Sequence, residues 1–123
     1  MEFNKRGLGT AREELAAAYI SEAGAKVIER NFSCKSGEID IIARDGKYLC
    51  FIEVKYRKSC KYGSPETAVD FLKRKKISKA SRFYMYFKHY DEETPVRYDV
   101  IAIHGDEGAY TIKWIKDAFE YVY

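Results

Sequence analysis

The chain has 123 residues, of which 46% are hydrophobic and 33% are charged, with a formal net charge of +3. This balance is typical of a water-soluble globular protein, and the length predicts a single domain over residues 1–123. No apolar run approaches the ~18 residues of a membrane span, and the N-terminus lacks the apolar core of a signal peptide, so we expect no membrane partner.

The cysteines indicate a reducing compartment. Cysteine occurs at positions 34, 50 and 60, with no C-x-x-C pair. An odd number without paired spacing argues against a disulfide framework and a zinc knuckle, and favours a cytoplasmic protein. Cys50 lies in an apolar run, and we expect it to be a small buried hydrophobic residue.

A helix and a strand are the first elements predicted along the chain. Thr10 followed by Glu13 forms a capping box, which predicts the start of an alanine-rich helix. Gly24 is a natural stop for this helix. Residues 26–32 have the length and the β-branched content of a strand.

A hairpin follows the first strand. The dipeptide Asp45-Gly46 is the strongest short hairpin signal, and it separates strands predicted over 38–43 and 48–56. The second of these strands is almost continuously apolar, as strands covered on both faces are. We therefore place the hairpin at the centre of the sheet.

The second half of the chain alternates between helices and strands. Ser64 and Pro65 predict the N-cap and the first residue of a long helix. Strands are predicted over 96–103 and 109–115, and a short terminal helix over 116–121. The order α-β-β-β-α-β-β-α predicts an α/β fold in which helices pack on the faces of a central mixed β-sheet.

Charged residues interrupt both strands of the hairpin, although charged side chains are rarely buried unless they are paired or bind a metal. Because side chains alternate along a strand, Glu38 and Asp40 are predicted to share one face, with Ile39 on the other. In the next strand, Glu53 and Lys55 share a face by the same rule.

The turn decides whether these groups meet. A two-residue loop at Asp45-Gly46 places Asp40 opposite Phe51 and makes Asp40 and Glu53 diagonal neighbours, roughly 7–8 Å apart at the backbone. A four-residue loop sets Asp40 directly opposite Glu53, and a loop of odd length sends the two carboxylates to opposite faces.

Two carboxylates this close repel each other unless a positive charge lies between them. Lys55 would compensate in part, and a bound Mg²⁺ would do so more completely, because Mg²⁺ prefers one or two carboxylates with waters and substrate phosphate. Lys55 would then orient or deprotonate a water, or steady charge on the phosphate. The alternative is an ion pair at a strand end without catalysis. The complete set favours metal-dependent phosphodiester hydrolysis.

A basic segment follows the hairpin. Ten of the 22 Lys and Arg residues lie between Lys55 and Arg82, opposed only by Glu66 and Asp70. Clustered cations bind polyanions through counterion release, which makes this segment a candidate phosphate-binding surface. A solvated helix face is the alternative.

Five segments carry a resemblance to a known family: "GTAREELAAAYI", "RNFSCKSGEIDIIARDG", "FIEVKYR", "YG" and "RYDVIAI". They resemble the YraN-like family of predicted endonucleases in the PD-(D/E)XK restriction-endonuclease-like superfamily, which is related to Holliday-junction resolvases. The resemblance covers nearly the whole chain and implies a restriction-endonuclease-like fold. Ile39 stands where the name of the motif places proline.

The resemblance implies Asp40 and Glu53 as metal ligands, with the backbone carbonyl of Val54 as a further ligand and Lys55 as the catalytic lysine. The implied cofactor is Mg²⁺ or Mn²⁺. The early helix glutamate of the family falls on Glu13, which is also the third residue of the capping box, so a catalytic and a capping role compete there.

The remaining charged residues are assigned around this site. Glu38 is expected to line it, and Glu14 is a second, weaker candidate for the helix glutamate. Asp99 is expected to be paired with a basic residue in a structural role. The expected nucleic-acid contacts are Arg57, Lys58, Lys73 and Lys76.

We therefore expect a metal-dependent endonuclease acting on DNA. Branched or structured DNA is favoured over a specific sequence because no base-reading motif is visible, and RNA would fit the same basic surface. The alternatives are a nucleic-acid-binding module that keeps the fold without cutting and a protein-interaction module. A two-fold symmetric junction would favour a homodimer.

Overall fold

The computed structural model describes residues 5–57, 69–105 and 108–123, with only the backbone for residues 5–10. Within these ranges the elements are α1 (Lys5–Glu22), β1 (Lys26–Cys34), β2 (Gly37–Asp45), β3 (Tyr48–Arg57), α2 (Phe71–Phe87), β4 (Val96–His104) and β5 (Thr111–Phe119). The first seven elements of the predicted order α-β-β-β-α-β-β-α are confirmed, and the final helix is not found among the described residues. The predictions at Lys58, Ser64 and Pro65 lie outside the described residues.

The strands form one mixed sheet in the order β1-β2-β3-β4-β5. β3 and β4 run parallel, whereas the other neighbours are antiparallel. The parallel pair needs a crossover connection, and α2 lies in that connection. β3 is the central strand, and its residues 49–53 are all buried, as its apolar composition predicted.

One helix covers each face of the sheet. On the α2 face, Ile77 and Tyr84 pack in one buried cluster with Phe51 of β3. On the α1 face, Ala16 and Ile20 belong to a second cluster that includes Cys50, Ile52 and Ile101. Cys50 is fully buried, as predicted, and burial raises the pKa of its thiol to about 12. Neither helix, within the described ranges, combines the length and the apolar character that a membrane span requires.

The first helix begins earlier than the capping box predicts. α1 starts at Lys5, so Thr10 and Glu13 lie inside the helix and the predicted capping box is wrong. The added turns contain Gly7 and Gly9, which are poor helix formers, so local helix propensity does not explain the earlier start. The predicted stop is confirmed, because the helix ends at Glu22 and Gly24 has a φ of +103°.

The second helix begins later than predicted. Val69 and Asp70 are not helical, and Asp70 is the N-cap, whose carboxylate accepts a hydrogen bond from the Lys73 N–H at 2.8 Å. A capping aspartate with an extended backbone satisfies an N–H group that has no partner within the helix. This start places Lys73 in the first helical turn.

The predicted terminal helix over 116–121 is absent, because β5 extends to Phe119 and the residues after it are not helical. The register of β4 and β5 shifts between Tyr98 and Val100, and Asp117 in the bulge has a φ of +55°. The bulge returns Phe119 to the core, where its ring stacks on Tyr98 at 5.4 Å. This packing outweighs the weak helical tendency of a six-residue segment.

Candidate metal centre

The hairpin turn sets the register of the two strands that carry the carboxylates. Asp45 pairs with Tyr48, so the turn consists of Gly46 and Lys47 rather than Asp45 and Gly46. Gly46 has a φ of +60°, a conformation that glycine adopts without a steric cost. Moving a two-residue turn forward by one position changes every cross-strand pair, and the predicted pairing of Asp40 with Phe51 is therefore wrong.

β2 and β3 separate where the carboxylates lie. Ile41 and Ile52 form the last pair between the strands, and Asp40 and Glu53 are the next residues in each. They are therefore direct opposites, as in the alternative register, rather than diagonal neighbours. In place of a backbone pair, Asp40 Oδ2 accepts a hydrogen bond from the Val54 N–H at 2.8 Å.

The side-chain alternation of β2 breaks at Asp40. Ile39, which was predicted on the face opposite to Asp40, packs in the cluster on the α2 face. In the neighbouring strand, the residue between the partners of Ile39 and Ile41 is Asn31, which has a φ of +55°. A left-handed residue in β1 and the end of pairing with β3 allow β2 to bend at this point.

Glu53 is the most buried charged group of the site, with 5% of its surface exposed. The ammonium groups of Lys55 and Lys73 each lie 3.6 Å from Glu53 Oε1. Oε2 is buried and has no hydrogen-bond partner among the described residues. Burial, and then the charge of Asp40, raise the pKa of Glu53 to about 7, against the opposing effect of the two lysines.

Asp40 experiences charges from both helices. Burial raises the pKa of Asp40, whereas the hydrogen bond from Val54 and the nearby Lys73 and Lys55 act to lower it. From the α1 side, Asp40 in turn raises the pKa of Glu13. The site thus holds adjacent carboxyl groups whose ionisation is unfavourable in this environment.

Glu13 lies inside α1, where it does not cap the helix, and it is near enough to Asp40 for the two charges to interact. Burial, and then the charge of Asp40, raise the pKa of Glu13, and a side-chain hydrogen bond with Asn31 and the charge of Arg30 oppose the increase. Glu38 is exposed on β2 but contributes to the raised pKa of both Glu13 and Asp40. The structure therefore excludes the capping role of Glu13, and its role in the site stays a prediction. Glu14 is exposed on α1.

The predicted phosphate contacts occupy different positions. Lys73 lies in the site itself through its contact with Glu53. Arg57 is exposed at the end of β3, and Lys76 is exposed on α2. Lys76 also packs closely over the start of β2, because a Cβ on Gly37 would lie 3.1 Å from the Lys76 Cβ.

Arg30 and Asn31 were not predicted from the sequence as residues near the site. Both lie in the edge strand β1, where a basic and an amide residue carry no local signal of function. Arg12 was also missed, and its guanidinium group lies 3.5 Å from the centre of the Tyr56 ring. The positions of these three residues depend on the packing of α1 across the sheet, which no local sequence pattern indicates.

Asp99 lies outside this site and is structural, as predicted. Its carboxylate is fully buried and accepts hydrogen bonds from Arg97 (2.8 Å to Nη2), from the Trp114 indole N–H (2.9 Å) and from the Asp117 backbone N–H (2.9 Å). Arg97 also donates to Asp45 at 2.9 Å. Both oxygens of Asp99 are therefore satisfied.

The carboxylate pair fits a hard divalent cation. Among the described residues, no group of three or more Asp, Glu, His or Cys side chains is arranged to hold a metal. Mg²⁺ does not need such a group, because it is commonly bound by one or two carboxylates with water and other oxygen ligands. The unpartnered Glu53 Oε2 and the raised pKa of Glu53 are features that a bound cation would relieve.

Comparison with known proteins places the chain in a family. The model of "Uncharacterised protein family UPF0102" matches residues 12–103, a span that contains both carboxylates of the pair. The chain belongs to the UPF0102 family. The match also includes Glu13, Lys55 and Lys73, so every described residue of the site lies within the family region.

Individual UPF0102 relatives match along almost their whole length. A UPF0102 protein of Syntrophus aciditrophicus is 48% identical over 115 residues, which cover 94% of this chain and 90% of the relative. One from Clostridium kluyveri is 47% identical over 120 residues, covering 96% and 97%. One from Lachnoclostridium phytofermentans is 40% identical over 117 residues, covering 95% and 96%. These names state no activity.

Proposed function

We propose that the protein is a metal-dependent endonuclease that hydrolyses phosphodiester bonds of DNA, with branched or structured DNA as the favoured substrate. The observation that carries the proposal is the opposed pair of Asp40 and Glu53, where β2 and β3 separate, with an unpartnered buried oxygen on Glu53. Two lysines lie beside this pair. Carboxylates and lysines in one buried site are the groups that metal-dependent phosphodiester hydrolysis needs.

The resemblance to the PD-(D/E)XK superfamily assigns roles that agree with this arrangement. Asp40 and Glu53, with the carbonyl of Val54, would hold Mg²⁺ or Mn²⁺. The bound metal would polarise a phosphoryl oxygen and lower the pKa of a water. Lys55, with a quarter of its side chain exposed, would orient that water or stabilise negative charge on the phosphate.

Lys73 and Glu13 would position these groups from the two helices. Lys73 has 38% of its side chain exposed, so it can exchange its contact with Glu53 for one with a substrate phosphate. Glu13 places a third carboxyl group near Asp40 from the α1 side. Its position supports a role in the acidic part of the site rather than in binding phosphate.

The substrate class rests on phosphate and shape recognition. The exposed cations Arg57 and Lys76 can contact a phosphate backbone of any sequence. RNA offers the same phosphates, so it belongs in the test beside DNA.

A binding module that does not cut is the second candidate. Lys55 and Lys73 both lie beside Glu53 Oε1, and their charges already compensate part of the carboxylate charge without a metal. A site that persists in this form would bind nucleic acid through its lysines and need no cation.

The test compares the parent with Asp40→Asn and Glu53→Gln. Mn²⁺ binding is measured by calorimetry or electron paramagnetic resonance, and cleavage is measured on linear DNA, four-way DNA and RNA in Mg²⁺ or Mn²⁺. We expect the parent to bind Mn²⁺ and to cut a DNA substrate, and each variant to lose both properties. Glu92→Gln removes an exposed carboxylate from the loop after α2 and serves as the control that keeps both.

Four other results would be informative. Metal binding without cleavage of any of these substrates would support the metal site but not the substrate class. Nucleic-acid binding without metal binding or cleavage would support the binding module. Cleavage of RNA alone would correct the substrate class. Failure of the parent to bind Mn²⁺ at millimolar concentration would overturn the metal site.

A further inference from the structure

The outer side of α2 carries an uninterrupted set of cations. Residues 71–87 contain six Lys or Arg residues and no Asp or Glu. Four of the cations recur at every third position, so they form one ridge that is inclined to the helix axis. This ridge consists of Lys73, Lys76, Lys79 and Arg82.

The ridge begins at the candidate metal centre. Lys73 contacts Glu53 at 3.6 Å, and the other three members are exposed. Residues three apart on a helix are neighbours on its surface, so each cation lies beside the next. The ridge therefore offers a continuous path for a phosphate backbone that leaves the site.

The other end of the ridge meets a groove of about 540 Å³, and four of the eight residues that line it are aromatic. Tyr86 is 83% exposed, and Phe83 is 48% exposed with its ring stacked on that of Phe87 at 6.0 Å. Together these rings form an exposed aromatic patch, which is a sign of a binding surface. No Asp or Glu side chain lines the groove among the residues that the structure describes. Its main lining residues are Lys79, Arg82, Phe83, Tyr86, Tyr121 and Tyr123.

A second cavity on the other side of Arg82 and Tyr86 has the opposite electrostatic character. Its volume is about 850 Å³, and its lining includes the carboxylates of Asp91, Glu92 and Glu120. A polyanion is repelled from this cavity and attracted to the groove with Lys79 and Arg82. A nucleic acid on this surface would therefore lie along the ridge and the groove and avoid the acidic cavity.

Charge also decides between a nucleic acid and a second copy of the chain as the occupant of this surface. Two copies that meet through α2 would bring two sets of six cations together without a carboxylate on either helix. A nucleic acid supplies phosphates for the ridge and base faces for the rings. Stacking on aromatic rings requires bases whose faces are free, which is the case in a single strand.

We propose that the ridge and the groove bind a single-stranded segment of nucleic acid, with phosphates on the ridge and unpaired bases stacked on Phe83, Tyr86 and Tyr123. Lys73 and Tyr86 are 13 residues apart, about 20 Å along the helix, so the proposed path spans several nucleotides. The inference that this bound segment belongs to a substrate that is cut rests on the proposed function. It names the substrate as a structure with a single-stranded arm.

The test measures binding without metal, so that cleavage does not enter. A fluorescent twelve-nucleotide oligothymidylate and a duplex of equal length are titrated by anisotropy, in EDTA, with the parent, Tyr86→Ala, Phe83→Leu and Tyr19→Ala. Tyr19 is an exposed tyrosine on α1 and serves as the matched control. We expect Tyr86→Ala and Phe83→Leu to weaken oligothymidylate binding about five- to a hundredfold and duplex binding less than about twofold. Tyr19→Ala should match the parent.

The control experiments separate this inference from its rivals. Sedimentation of each protein without DNA shows whether the aromatic surface holds a second copy. The proposal would be overturned if the parent is a dimer that Tyr86→Ala dissociates and Phe83→Leu does not. It would also be overturned if both variants bind oligothymidylate as the parent does. If the weakened binding is observed but no substrate is cut, the groove stands and the nuclease proposal fails. If cleavage occurs and the variants bind as the parent does, the reverse holds.

Discussion

Two groups of buried charges lie in the same sheet, and they differ in how completely their polar atoms are paired. Asp99 is fully buried and accepts hydrogen bonds from Arg97, Trp114 and the backbone of Asp117. Glu53 is also buried, but one of its oxygens has no partner among the described residues and its lysine contacts are 3.6 Å long. Burial of a carboxylate is therefore not by itself a sign of function.

The two carboxylates differ in whether the protein supplies all the partners that stabilise their negative charge. Around Asp99, the planar guanidinium of Arg97 binds the carboxylate through two nitrogens, and this geometry completes the network within the protein. Around Glu53, two flexible lysines and a second carboxylate leave a site in which negative charge is poorly stabilised. The first arrangement stabilises the fold, and the second is the one that we propose binds a cation.

The largest expected effect is the loss of the Asp99 network. Asp99→Asn should destabilise the protein by about 3 kcal/mol, because it leaves the charge of Arg97 partly uncompensated and directs new N–H donors at existing donors. Urea denaturation of the metal-free protein measures this change.

Glu120→Gln, which alters an exposed carboxylate, is the control and should leave the denaturation midpoint unchanged. If Asp99→Asn were as stable as the parent, the network would not be structural, and the contrast with Glu53 would disappear.

The second expected effect is an increase in stability, whereas the first is a decrease. Glu53 has a pKa raised from 4.5 to about 7, so its ionised form destabilises the folded state as the pH rises from 4.5 through 7. In the metal-free protein, Glu53→Gln should match the parent near pH 4.5 and be more stable at pH 8, by roughly 3 kcal/mol at most. Urea denaturation at several pH values measures the difference.

Added Mn²⁺ should reduce this difference, since a ligand that binds only the folded parent stabilises it. Asp99→Asn should not become more stable than the parent at any of these pH values. A Glu53→Gln variant that is less stable than the parent at pH 8 would show that Glu53 is a structural ion-pair residue of the same kind as Asp99.

The smallest expected effect concerns the support of the site. Asp70 caps α2 through the N–H of Lys73, the residue that contacts Glu53. Asp70→Ala should cost about 1 kcal/mol of stability, whereas Asp70→Asn, which keeps a capping oxygen, should cost less. If Lys73 is positioned by this cap, Asp70→Ala should also weaken Mn²⁺-dependent cleavage more than Asp70→Asn does. Equal stability of the two variants would exclude a capping contribution.

Much of the site could be predicted from strand periodicity. Glu38, Asp40, Glu53 and Lys55 stand out in "GEIDIIARDGKYLCFIEVKYR" because charged residues occur where an apolar strand pattern is expected. The same pattern identified β3 as the central strand and Cys50 as buried. These properties follow from local alternation and composition, which operate over a few neighbouring residues.

Element ends were less predictable, because capping signals compete with one another. The pair Thr10 and Glu13 has the form of a capping box, but α1 extends to Lys5. Asp70 was read as one more charge opposing the basic segment, although it caps α2. A short capping motif states only that a helix can begin there, and packing and helix propagation decide whether it does.

The amino-acid sequence by itself determined the strands, the apolar faces and the carboxylates placed among them, because these depend on residue type and spacing. Only the tertiary structure decided that Asp40 lies opposite Glu53, because a shift of the turn by one residue changes every pair. It also brought Glu13, Asn31 and Lys73 to the site from α1, β1 and α2. Contacts between elements distant in the chain depend on how helices and strands pack, which no local pattern encodes.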